Sequence, residues 1–148
     1  MTEAQTQPEN TPSFSVKGQY IKDLSFESPN APQILFATAT APDIKVAVDL
    51  KAQKLQDDIY ETTLHITVRS KSEGSTMFLV DLEYAGIFQI ANFPPERIEF
   101  LVMVECPFIL FPFARRVISD VTRDGGFPPL MLEPIDFHTM YLQNKEAA

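Results

Sequence analysis

The chain has 148 residues, 45% of them hydrophobic, which suits one domain with a buried core. Its formal charge of −8, with 12 Lys and Arg against 20 Asp and Glu, opposes nucleic-acid binding because phosphates would be repelled. No apolar run nears the ~20 residues of a membrane span, and the single Cys can form no internal disulfide. The start, MTEAQTQPENTPS, has neither a basic end nor an apolar stretch, so a cytoplasmic chain without secretory signal or membrane insertion is expected.

In chain order, residues 1–12 are expected as a disordered tail, 13–144 as a single domain and 145–148 as a short tail. From Phe14 the chain alternates. Phe14, Val16, Tyr20, Leu24 and Phe26 fall on one face of a strand, and Ser15, Lys17, Gln19, Asp23, Ser25 and Glu27 on the other. Residues 28–41 hold Pro29, Pro32 and Ile34-Leu35-Phe36, too long a connection for a tight hairpin, so a crossover is expected. Ile44, Val46, Val48 and Leu50 mark a second strand. Tyr60, Leu64, Ile66 and Val68 mark a third, and Phe78, Val80, Leu82 and Tyr84 a fourth set against Leu79, Asp81 and Glu83. Polar turns at 53–58 and 70–75 join them as hairpins. Ala85-Gly86 is expected to break the fourth strand.

Pro94-Pro95 opens a helical stretch that the Cys106-Pro107 step should end. Leu110, Phe113, Ala114, Val117 and Val121 then form one stripe of a helix. Pro112 belongs in a first turn, which places the start near Leu110, and Gly125 supplies the left-handed stop. Asp136 can cap a last helix carrying Phe137, Met140, Tyr141 and Leu142. Strands first and helices afterwards read as α+β, a four-stranded antiparallel sheet with two main helices on one face.

No constellation for a reaction stands out. Cys106 with His65 or His138 could make a thiol–imidazole pair, but a Cys wedged between an apolar run and Pro107 reads as a small buried hydrophobe. Two His and one Cys, widely spaced, lack zinc-ligand spacing, and no Gly-rich strand-to-helix loop offers a phosphate cradle. Asp23 with Glu27, and Asp81 with Glu83, read as wet strand faces. Ile34–Phe36 and the last helix carry more apolar side chains than one sheet needs. They either finish a core or oligomer contact, or form a groove for apolar segments of other chains.

CPFILFPFARR at 106–116, GGFPPL at 125–130, YIKDLSFESPNAP at 20–32 and YAGIF at 84–88 together resemble the bacterial protein-export chaperone family SecB, over residues 14–142. The resemblance implies a homotetramer arranged as a dimer of dimers, with the long helix packed between subunits. Val80, Leu82 and Tyr84 would lie toward a subunit contact, beside Leu110, Phe113, Ala114, Val117 and Val121. It implies an ATP-independent holdase without metal or cofactor. Such a protein binds unfolded preproteins and hands them to the translocase motor SecA, whose tail is basic and zinc-binding. A related chaperone serving a toxin–antitoxin pair is the alternative. Client contacts carried over are Ile34, Leu35, Phe36, Ile44, Val46, Met140, Tyr141 and Leu142. SecA contacts carried over are Asp23, Glu27, Leu79 and Asp81. Two departures stand against the family pattern. Many relatives carry Trp late in the crossover, where this chain has Ala39-Thr40-Ala41, and little polar tail follows Tyr141.

Overall fold

Four alternating stretches pair into one antiparallel sheet of order β1-β4-β3-β2: β1 Ser13–Glu27, β2 Asp43–Gln56, β3 Ile59–Ser72 and β4 Ser75–Ala91. The computed structural model describes residues 11–36 and 41–146. The expected tail therefore lies outside them except for Thr11 and Pro12, and so do Ala39, Thr40 and residues 147–148. Glu73 and Gly74, at φ 50 and 82, turn β3 into β4 with the left-handed pair that suits the twist of a hairpin. The crossover from β1 starts against β4, where Ser28 Oγ donates to the Met77 carbonyl and Asn30 Nδ2 to that of Thr76. It then forms a 3-10 turn at Gln33–Phe36.

β4 runs unbroken through Ala85-Gly86, contrary to expectation. Gly86 is there for space: a Cβ would stand 2.8 Å from Leu110 of the covering helix. β1 departs from simple alternation, because register shifts fall between Val16 and Gly18 and between Ile21 and Asp23. Each bulge flips the faces that follow. Gln19 thus lies opposite Gly86 on the helix side, where it accepts from the Tyr84 hydroxyl at 3.2 Å. Tyr20 lies opposite Ala85 on the outer face and donates to Glu61. The sequence reading has these two residues the other way round.

The helical stretch does not stop at Cys106-Pro107. α1 (Pro95–Phe100), a π turn (Leu101–Glu105) and α2 (Cys106–Asp124) follow without a gap. In the wide π turn the Cys106 N–H reaches the Leu101 carbonyl, five residues back. Pro107 has no N–H for the next carbonyl, Val102, and the buried Thr62 hydroxyl donates to it instead at 3.0 Å. Pro112 lies inside α2, not in its first turn. The carbonyl it leaves free is that of Phe108, a residue 66% exposed, where water can take the bond. At the far end Gly125 is right-handed, and Gly126, at φ 93, makes the left-handed turn. Gly126 N–H bonds Arg123 and Phe127 N–H bonds Thr122, a Schellman closure.

The core sits between α2 and the sheet. Leu110, Ala114 and Ile118 are fully buried against Leu64, Ile66, Val68, Val80, Leu82 and Phe88. α3 (Phe137–Glu146) ends beyond the expected boundary at residue 144. Its cap is the expected one: Asp136 accepts from the Thr139 N–H at 3.0 Å and from its hydroxyl at 2.7 Å.

Candidate functional site

An apolar groove of about 550 Å³ runs beside the free edge of the sheet. One wall is the helix-side face of β2, with Ile44, Val46 and Val48. The other is the irregular stretch between α2 and α3, with Leu130, Met131, Leu132, Pro134 and Ile135. Glu133 is the one charged residue in its lining. Ile44, Val46 and Met131 are 39%, 45% and 61% exposed, so this is apolar surface that no part of the described chain covers. The sequence reading reached the β2 wall and missed the opposite one. Its signal was present as LMLEPI at 130–135, an apolar run bracketed by Pro129 and Pro134 in a connection.

The other expected client residues are not in this lining. Leu35 and Phe36 are exposed, Phe36 at 81%, and Leu35 lies by Gly126, where a Cβ would come within 3.3 Å of it. Ile34 packs partly against the core. Met140 and Tyr141 are half-buried, the Tyr141 ring edge-on to Phe100 at 6.1 Å, while Leu142 is exposed. A second cavity, of about 300 Å³, lies between the π turn and the start of α3 and shares Ile135 with the groove.

The outer face of the sheet carries the second surface. Glu27 stands opposite Leu79, Ser25 opposite Asp81 and Asp23 opposite Glu83. Asp23, Glu27, Leu79 and Asp81 therefore share one face on neighbouring strands, with opposed residues ~5 Å apart. Lys22, next to Asp23 in sequence, has its Nζ held by Glu61 at 2.9 Å, while Arg69 of β3 stands on the same face opposite Leu79. Glu61 also accepts from Tyr20 and from Gln53 Nε2, and these bonds, that of Tyr20 foremost, hold its carboxyl below the ordinary range despite its burial. Burial, with Glu61 beside it, pushes the Tyr20 hydroxyl up to about 12.

The expected oligomer residues divide in two. Val80, Leu82, Leu110 and Ala114 are buried inside the chain itself, and Tyr84 nearly so. Phe113, 44% exposed and stacked on Tyr84 at 6.5 Å, remains available to a second copy, together with the half-buried Val117 and Val121.

Cys106 is fully buried, and burial pushes its thiol up to about 12, which leaves no thiolate at neutral pH. Among the described residues no cluster of His, Cys, Asp and Glu could hold a metal ion, and no helix is long and apolar enough to cross a membrane.

Comparison with known proteins agrees with this architecture. A family model described as preprotein translocase subunit SecB matches residues 7–148. The protein-export protein SecB of Rhodopseudomonas palustris (strain BisB18) is 50% identical over 91% of this chain and 82% of its own length. That of Bradyrhizobium diazoefficiens is 47% identical over 95% and 89%. Among solved structures, a SecB-like chaperone of Mycobacterium tuberculosis, in complex with a peptide from an antitoxin, superposes with a TM-score of 0.69. It is 16% identical and covers 82% of this chain and 90% of that one, a likeness of fold. The chain belongs to the SecB family of protein-export chaperones.

Proposed function

We propose that this protein is an ATP-independent holdase of the cytoplasm that binds unfolded preproteins, keeps them competent for translocation and delivers them to SecA. The observation that carries this reading is the exposed apolar groove beside β2. A folded client has already buried the side chains that fit such a groove, whereas an unfolded one offers them together with a free backbone for the unpaired strand edge. Binding only the unfolded chain holds it there by mass action. Adaptable Met131 and branched Ile and Val side chains tolerate varied sequences. A homotetramer arranged as a dimer of dimers, joined through Phe113, Val117 and Val121, would present several grooves to one client, so that weak contacts become avid. Ile34–Phe36 and Met140–Leu142 would add apolar side chains outside that groove.

The outer acidic face is assigned to SecA. Carboxylates at Asp23, Glu27 and Asp81 steer a basic tail, and Leu79 anchors it. Because groove and acidic face lie on opposite sides of the sheet, a client and the motor can be held at once. Replacement Asp23→Ala or Glu27→Ala is expected to weaken SecA binding about tenfold and leave client binding unchanged. Equal loss of both activities would contradict this division. The antitoxin alternative is not favoured, since relatives at 44% to 50% identity carry the export name.

A further inference from the structure

His65 lies on the outer face of β3, directly opposite Glu83 on β4 and Asp49 on β2. Its Nε2 is 2.5 Å from Oδ1 of Asp81, one register step along β4. Lys51 on β2 reaches Glu83 at 4.0 Å, and Arg69, further along β3 on the same face, stands opposite Leu79 and next to Asp81 in the register. Thr63 and Thr67 flank His65 on its own strand, and Asp23 of β1 stands beyond Glu83. The imidazole is therefore surrounded by carboxylates, and one of them belongs to the surface assigned above to the motor.

We propose that His65 is a positioning residue for the acidic docking face: it aims the Asp81 carboxylate and, on protonation, lowers the affinity of that face for a basic partner. This rests on the reading of Asp23, Glu27, Leu79 and Asp81 as the SecA contact. In the neutral ring the proton on Nε2 is donated to Oδ1, which fixes the direction of the carboxylate, keeps its full charge and leaves Oδ2 for the partner. Asp81 retains access to a ligand, its side chain being 48% exposed against 29% for His65. A second proton places a positive charge at hydrogen-bond distance from Asp81, so an approaching basic tail meets one net negative charge fewer. By linkage, docking of that tail favours release of the proton. Lys or Arg in this place would hold Asp81 paired at every pH, whereas an imidazole pairs as a cation only when it carries its second proton.

The test is SecA binding to the full chain at fixed ionic strength, at about pH 8 and about pH 6, for wild type, His65→Gln, His65→Lys and Glu27→Ala. Ratios between variants at each pH cancel the titration of SecA itself. Wild type is expected to weaken about fivefold more than His65→Gln on acidification, and His65→Lys to bind weakly at both values. If His65→Gln keeps the pH dependence of wild type, or His65→Lys binds as tightly as His65→Gln at the higher pH, the assignment is overturned. Loss of client holding by His65→Gln would also overturn it, by showing a role in folding. Failure of the docking reading has a separate signature, undiminished binding by Glu27→Ala.

Discussion

Gly125 has no room for a methyl group. Its φ of −76 suits any residue, so the requirement is steric: a Cβ there would overlap the ring of Phe26. That ring cannot swing freely, being stacked on Phe78 at 6.0 Å and against Phe127 at 6.4 Å. Gly125→Ala is expected to cost about 1–3 kcal/mol, as insertions into packed sites do. A lower denaturant midpoint at unchanged slope would register it, and an unmoved midpoint would contradict the contact. The sequence shows that a helix ends at Gly125-Gly126 but not which glycine turns left-handed. That depends on where the last carbonyls lie, and the answer is Gly126. The face taken by Tyr20 was equally hidden. Gly18 is the one hint of a bulge in GQYIK; the first bulge reverses the alternation for residues 18–21 and the second restores it from Asp23.

At the scale of elements, the helix from Pro95 to Asp124 was misread because proline was treated as a stop. Pro107 does remove a hydrogen bond, but Thr62, 40 residues away in sequence, donates to the orphaned carbonyl. No local pattern contains that compensation. α3 was legible because its cap is local. Two bonds from Thr139, that of the backbone N–H first, hold the Asp136 carboxyl below its ordinary value of 3.8. A depressed folded value means the cap stabilises the helix above the ordinary value and is lost as pH falls through the depressed one. α3 is therefore expected to fray as pH falls from the ordinary carboxyl value of 3.8 through the depressed one, followed by carbon chemical shifts of its residues. Asp136→Ala should fray at neutral pH as well. Equal helicity in the two proteins at neutral pH would contradict the role of the cap.

For the whole molecule, the sheet is a partition. Its helix side supplies the core and the β2 wall of the groove, and its outer side gathers the acidic surface. The acidic surface could be read in the sequence because period-two alternation puts Asp23 with Glu27 and Leu79 with Asp81, and strand pairing needed only to join the two sets. The groove was half legible. Ile44 and Val46 announce a strand face, whereas residues 130–135 acquire their role only when Thr122 Oγ1 accepts from the Leu130 N–H and fixes the connection beside α2. The holdase reading joins both surfaces. Its most direct test is the refolding of a slow-folding preprotein with the purified chain and without ATP, beside the mass of the chain in solution. The account predicts arrest near one tetramer per preprotein. Unaffected refolding in the presence of a monodisperse monomer or dimer would contradict it.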